Sequence, residues 1–281
     1  MTPTKKGVRQ ESLRLTAWQA HALAARRLDR VTAAEVQAHA DERTAAGRAA
    51  MTVRNEILIL SAVYRHAAAL PRPGGGVGGG WGLAGLANPV TAVHLPSPPQ
   101  GRQRRLQDGE GEQAGEEVRV RAALLAQTGG PTLDAVVTLA VETGLRLSEL
   151  LALRRSQLRR ARGARWVEQP DSKNGQPRRV VLSSRAAAAA DALAAAADGR
   201  GADARLIPLT EDALRWRWRR ACATAGVVGL TLHDLRHEAL SRQAAAGLTI
   251  GELQQQSGHR TAQILLRYVN ARAADVSRKL G

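Results

Sequence analysis

His233, Arg236, His259 and Tyr268 follow one another near the C-terminal end of the chain, in the strings HDLRH, SGH and RY. A phosphodiester can be cut without metal or cofactor by one nucleophile, one proton donor and enough fixed positive charge. These four side chains offer such parts. Tyr268 stands out because the chain has two tyrosines, Tyr64 and Tyr268, and no phenylalanine. A tyrosine at its ordinary pKa of about 10 is a poor nucleophile, so it needs neighbouring cations and a base before it can attack phosphorus. In an ordinary protein the same residue would more often be a half-buried packing group.

Two further positions extend the set. TGLRLSELLALR, residues 143–154, places Arg146 just after a glycine break and at the mouth of a helix, where its fork can face a phosphate. Taken alone, it also reads as a surface arginine at a helix start. Lys173 lies beside Asn174-Gly175 in a chain of 37 arginines and only four lysines. Lysine can give up its proton in a suitable environment and arginine cannot, so only lysine is suited to protonate a leaving hydroxyl. A solvated turn lysine is the plainer reading.

The elements that must position these residues are mostly helices. Thr32 with Glu35, Thr231 with Asp234, and Thr249 with Glu252 have capping-box spacing. His233 and Arg236, three apart, are expected on one helical face, with His237 pointing elsewhere. Gly258 should stop the helix begun at Thr249 and leave His259 just beyond it. A helix is expected over 51–70, with Val53, Ile57, Leu58, Leu60, Ser61 and Tyr64 on its apolar face. Another spans 131–142 and closes at Gly144, and helix resumes over 147–160. The β signal is a hairpin, Arg165–Glu168 and Arg179–Leu182, around the turn at Asn174-Gly175. Residues 185–198 are Ala-rich and expected to be helical, and helices with short breaks are expected from 209 to the end.

Composition bounds the partners. Lys+Arg 41 against Asp+Glu 25 gives a net charge of +16. The excess is +9 over residues 1–105 and +7 over 106–281, so both halves are basic. That fits two folded domains on a polyanion, although a bias toward arginine codons would raise the same count. One cysteine, Cys222, excludes an intramolecular disulfide and a cysteine-cluster metal site. The seven histidines show no HExxH spacing, and no GxxxxGK[ST] loop is present. No apolar run is long enough for a membrane span, and the N-terminus lacks the apolar core of a signal peptide. No metal, cofactor or membrane is therefore expected.

Glycine-rich PRPGGGVGGGWG (71–82) interrupts the first half, and a proline- and arginine-rich stretch follows it. The expected division is a helical domain over 1–95 with an insertion at 73–80, a basic linker over 96–107, and a second domain over 108–281.

In order and spacing, Arg146 in TGLRLSEL, Lys173 in SKNGQPRRVVL, HDLRH, SGH and RY resemble the catalytic set of the tyrosine recombinases, or phage integrases, across residues 116–281. GHRTAQILLRY is similar to shufflon-type and phage-type integrases. Thr52-Val-Arg-Asn-Glu-Ile, the Tyr64 helix and Asn88-Pro89-Val resemble the family's helical core-binding domain less specifically. The resemblance implies a mainly α fold with a small antiparallel β-sheet: a helical (SAM-like) core-binding domain plus an α+β catalytic domain, forming a C-shaped DNA clamp. It implies that Tyr268 forms a 3′-phosphotyrosyl bond and that Lys173 protonates the leaving 5′-oxygen. Arg146 and Arg236 would clamp the non-bridging oxygens, His233 would assist proton transfer, and His259 would donate to the phosphate.

Arg54, Arg102, Arg104 and Arg105 are the expected further DNA contacts. The partner would be double-stranded DNA with inverted-repeat core sites, bound by a homotetramer that is weakly associated or monomeric without it. The setting would be the bacterial cytoplasm and nucleoid, within a mobile element. Integration, excision and inversion remain open, as do a degenerate DNA-binding remnant or accessory factor and a type IB topoisomerase. Ser257 departs from the leucine the family often has there, and no arm-binding domain is expected ahead of residue 11.

Overall fold

Apolar periodicity and explicit caps build the first unit of the chain. The structure is a computed structural model and describes residues 8–72, 79–98, 104–110, 112–170, 177–201 and 203–268. The chain divides into two units, Met1–Gly101 and Arg102–Gly281. In the first, α1 (Val8–Gln19) leads through two 3₁₀ turns to α2 (Ala33–Ala45), then α3 (Ala50–Ala68) follows directly, with a further 3₁₀ turn at Pro89–Ala92. Thr32 caps α2 as expected: its hydroxyl accepts from the Glu35 N–H, and Glu35 accepts from the Thr32 N–H at 2.9 Å.

On α3, Val53, Ile57, Ser61 and Tyr64 are buried, one stripe of a 3.6-residue period. Leu58 lies off that stripe and is exposed, so it does not belong to the core face. The buried stripe packs with Trp18, Val36, Ala40 and Val90. Tyr64 donates to the Leu28 carbonyl at 2.9 Å, and Asn88 donates to Ser61 at 2.8 Å. The N–H groups of Gly80, Trp81, Gly82 and Leu83 close on the carbonyls of Leu70, His66, Ala69 and Ala67, which satisfies the free end of α3.

The second unit is organised around α5 (Gly130–Thr143), a helix apolar on almost every side. It packs on α4 (Glu116–Leu125) and, later in the chain, on the helices Ser184–Ala196 and Leu232–Ala245. Gly144 ends it with φ 65°. A Cβ there would make ordinary contact with the Ala239 methyl at 3.4 Å, so it is the left-handed backbone that favours glycine. The expected helix over 147–160 is not formed. α6 (Leu147–Leu151) is short, and Leu158–Ala161 is instead the strand β1.

β1 pairs with β2 (Ala164–Gln169), which pairs with β3 (Arg178–Val181), all antiparallel. Arg162 and Gly163 make the first turn with φ of 47° and 77°. A two-residue hairpin needs such angles, and arginine seldom takes them, which hid the turn. The second strand pair was anticipated; its turn, including Lys173, lies outside the described residues. Val167 and Val180 face each other on the buried side.

The remaining elements are α7 (Ser184–Ala196), α8 (Glu211–Thr224), α9 (Leu232–Ala245), α10 (Ile250–Ser257) and α11 (Ala262–Leu266). The exposed edge of β3 is covered by one side chain. Gln256 accepts from the Val181 N–H at 2.8 Å and donates to its carbonyl at 3.2 Å, standing in for a fourth strand. That contact fixes the end of α10 to the sheet.

The break between the units falls inside the stretch read as a linker, and its last residues are bonded into the second unit. Arg105 donates to Glu238 at 2.7 and 3.1 Å, and the Leu106 N–H donates to the same carboxylate. Arg104 pairs with Glu116 at 2.5 Å. Burial pushes the Glu238 carboxyl up, but its bonds to Arg105 and Arg242 outweigh burial and hold it below the ordinary carboxylate range.

A depressed carboxylate stabilises the fold above its unfolded pKa and loses that contribution as pH falls through its folded value. Glu238→Gln should therefore cost about 1–3 kcal/mol at pH 7, and the difference from the unaltered protein should shrink below about pH 4. Urea melts at pH 7 and pH 3.5 check both statements.

Candidate active site

Three helix ends meet around Arg236. Thr231 caps α9 through Asp234, whose carboxylate accepts from both the Thr231 N–H and hydroxyl at 2.7 Å. Arg236 follows one turn later and is 5% exposed. Its guanidinium donates to the carbonyl of Gly144 at the end of α5, and to that of Ser257 at the end of α10 at 2.7 Å. Carbonyls at helix C-termini carry partial negative charge, so they suit a buried cation. Burial first, then the charge of Arg146, pulls the Arg236 pKa down to about 10. It remains a cation at neutral pH.

Arg146 sits at the N-cap of α6, as its place after the glycine break implied. Glu149 accepts from its backbone N–H at 3.0 Å and from its guanidinium at 2.9 Å. Arg178, on β3, reaches the same carboxylate at 2.7 Å. Burial pushes Glu149 up, but the bonds and charge of Arg178, followed by Arg146, outweigh it and hold the carboxyl low. Arg146 also extends toward the Gly258 carbonyl at 3.4 Å. One buried carboxylate thus orients two arginines. Glu149 and Arg178 were missed as site residues, although E follows R at helical spacing and RRVVL followed Lys173.

Thr249 and Gly258 bound α10 as expected. Gly258 has φ 67°, and a Cβ there would come 2.8 Å from the Arg178 guanidinium. His259 emerges directly after it. Its Nε2 lies 3.3 Å from Arg236, and its Nδ1 lies 2.8 Å from the Ser257 hydroxyl. The serine in place of the family's usual leucine therefore holds the imidazole. Burial, then the charges of Arg236 and Arg146, push His259 down to about 4.

Tyr268 follows α11 and rests against the cluster of Leu240, Leu253 and Leu265. Burial raises its pKa, outweighing the opposing charges of Arg267 and Arg236. Its hydroxyl lies 2.5 Å from Nδ1 of His237. This corrects the expectation that His237 points elsewhere. His237 is one turn beyond His233, and their rings meet edge-on at 4.9 Å. His233 is more exposed than Arg236, yet burial first and then the charge of Arg236 lower its pKa, so it lies near the same cations. The i, i+4 spacing of the two histidines was the signal that could have found His237.

The structure thus brings Arg146, Arg236, His259 and Tyr268 into one neighbourhood, with His233 behind His237. Lys173 and Arg102 lie outside the described residues. Arg104 and Arg105 are paired with carboxylates, as above. Arg54, in the first unit, donates to the Pro96 carbonyl at 3.4 Å. Among the described residues no cluster of metal-ligating side chains occurs, and no helix is long and apolar enough to cross a membrane.

A three-stranded antiparallel sheet set among helices, with paired arginines, a histidine and a tyrosine between them, defines the catalytic-domain type of the tyrosine recombinases. Residues 116–275 match the phage integrase family. The shufflon-specific DNA recombinase of Escherichia coli is 31% identical over 98% of this chain and 67% of its own length. The integrase of Salmonella phage P22 is 25% identical over 49% of this chain, which spans 39% of that protein.

Among solved structures, the Tn1549 transposon integrase in complex with circular intermediate DNA has a TM-score of 0.74 at 17% identity, covering 100% of this chain and 95% of that one. A λ integrase dimer bound to a COC′ core site gives 0.73 at 20% identity, covering 97% and 91%. The chain belongs to the phage integrase family of tyrosine recombinases.

Two outcomes are expected from this geometry. His259 should stay neutral well below pH 6 and protonate near pH 4, seen as a late shift of its ring proton by NMR. Because its folded value lies below the unfolded value of about 6.5, its contribution to stability should decline as pH falls from about 6.5 toward 4. Gly258→Ala should destabilise the second unit by about 1–2 kcal/mol through its left-handed backbone, measured by thermal melting.

Proposed function

We propose that the chain is a site-specific recombinase that cuts and rejoins double-stranded DNA through a 3′-phosphotyrosyl intermediate. One observation carries this: a buried guanidinium, held by carbonyls and beside a second arginine, lies within electrostatic reach of the Tyr268 phenol. The charge of Arg146 helps pull the Arg236 pKa down, and two cations this close favour an anion between them. A phosphate is such an anion, and the neighbouring phenol is the nucleophile.

In this reading Tyr268 Oη attacks the scissile phosphorus. Arg146 and Arg236 hold the non-bridging oxygens and stabilise the charge that grows on them in the transition state. His259 contributes a hydrogen bond to the same oxygens. Lys173 protonates the departing 5′-oxygen, a role that rests on its sequence motif. The 5′-hydroxyl of a partner strand then attacks the phosphotyrosine, which conserves the bond energy without a nucleotide. The kinship with a shufflon-specific recombinase supports site-specific exchange as the class of reaction.

The first unit serves as the core-binding domain and the second as the catalytic domain, with DNA bound by both. Arg54 and Arg102 are proposed contacts to its backbone. Arg104 and Arg105 would reach phosphate only while also serving Glu116 and Glu238. Inverted-repeat core sites and a tetramer of four protomers complete the proposal, as does a place beside the nucleoid.

A duplex nicked near its cleavage point traps the covalent step. The unaltered chain should form a protein–DNA adduct stable to denaturation, and Tyr268→Phe should form none while still binding. Arg236→Ala should slow adduct formation by about a hundredfold or more. Binding of DNA with no adduct from the unaltered chain would instead mark a non-cutting binding protein.

A further inference from the structure

Attack by Tyr268 leaves one proton without a stated destination. Lys173 serves the leaving oxygen, and Arg146, Arg236 and His259 serve the non-bridging oxygens. The phenolic proton must pass to another group. The sequence resemblance pointed to His233 for proton transfer, but another histidine stands against the hydroxyl. Nδ1 of His237 is 2.5 Å from Tyr268 Oη, with the two ring centroids 5.7 Å apart.

Both groups are in the right ionisation state for transfer. Burial lowers the His237 pKa, helped by His233, Arg267 and Arg236 and opposed by Asp234. A neutral imidazole has a free nitrogen lone pair. Tyr268 is held as a neutral phenol, so its O–H can donate to that lone pair. His237 approaches from α9, and Tyr268 and Arg267 from the end of α11. His233, Asp234 and Arg236 share α9 with His237. From the end of α10, His259 is coupled to His237 as well.

We propose that His237 is a catalytic residue, the general base that takes the proton from Tyr268. The proposal rests on the recombinase reading above. As the Tyr268 Oη–P bond forms, the phenolic O–H bond breaks and its proton moves to His237 Nδ1. The P–O5′ bond breaks, and O5′ takes its proton from Lys173. The imidazolium so formed stands beside the new phosphotyrosine. In the rejoining step it returns the proton to Oη while the attacking 5′-hydroxyl gives its own to Lys173. His233, edge-on to His237, positions the base rather than touching the nucleophile.

The test uses the full chain with two nicked trapping duplexes, one ordinary and one with sulfur in place of the bridging 5′-oxygen. Single-turnover adduct formation is followed from pH 5 to 9 for the unaltered chain, His237→Asn and His237→Ala. Thermal melts and DNA binding confirm that each variant is folded.

The unaltered rate should fall at low pH as His237 protonates. Both variants should be slower by about 10²–10⁴-fold, lose that acidic limb, and accelerate steadily toward high pH as hydroxide replaces the base. The sulfur substrate needs no leaving-group proton, so it should not rescue them. His237→Asn cleaving within about threefold of normal with the acidic limb intact would overturn the proposal, as would a variant that cleaves faster, which would make His237 a restraint on Tyr268. Rescue by sulfur would also overturn it, by placing His237 on the leaving-group side. An unaltered chain that forms no adduct would overturn the recombinase reading and this proposal with it.

Discussion

The site depends on a guanidinium taken almost wholly out of water. Placing a cation in a protein interior costs several kcal/mol unless fixed partners replace the lost hydration. Arg236 finds them in the carbonyls of Gly144 and Ser257, at the last turns of two different helices. Because both helices must end beside α9, both must stop abruptly, and Gly144 and Gly258 supply the left-handed residues that allow it. The apolar bulk of α5 then has a purpose beyond burial. It fixes where one of those carbonyls lies.

The second arginine is held by different means. Glu149 accepts from Arg146 and Arg178 together, and Arg178 also donates to the Gln256 carbonyl at 3.3 Å. Since Gln256 completes the edge of β3, the small sheet is tied to the same helix end that supplies Ser257 and His259. The sheet is thus a brace for the arginine cluster. Holding two like charges close is unfavourable by itself, and Glu149 with the carbonyls of Gly144 and Ser257 offsets that cost. In the proposed reaction such pre-oriented dipoles and charges would leave little reorganisation for the transition state.

What the sequence made legible follows from the range of each interaction. Capping boxes at Thr32, Thr231 and Thr249 and the stops at Gly144 and Gly258 are local, and they were read from a few residues. The family was legible in the order of Arg146, HDLRH, SGH and RY because residue type and spacing together are specific. β1 was not, since its turn uses Arg162 in a backbone region that arginine avoids. Nor could the pairing of Arg105 with Glu238 be read, because nothing local links residues 133 apart. His237 was misplaced for a different reason: its neighbour Arg236 drew the helical face, and the face shared with His233 was left untested.

Tyr268 is anchored more lightly than the arginines near it. Tyr268 leans on a cluster of three leucines, each worth about 1.5–3 kcal/mol when fully buried. Leu240 comes from α9, Leu253 from α10 and Leu265 from α11, so this cluster sets the height of Tyr268 against both other helices. Leu240 lies three residues after His237 on the same helix. The packing that seats the tyrosine ring therefore also sets its distance from the imidazole. A half-buried packing tyrosine and a reactive one are alternatives in the sequence. In the fold the packing of the ring is what sets the hydroxyl against His237, so the two descriptions are compatible.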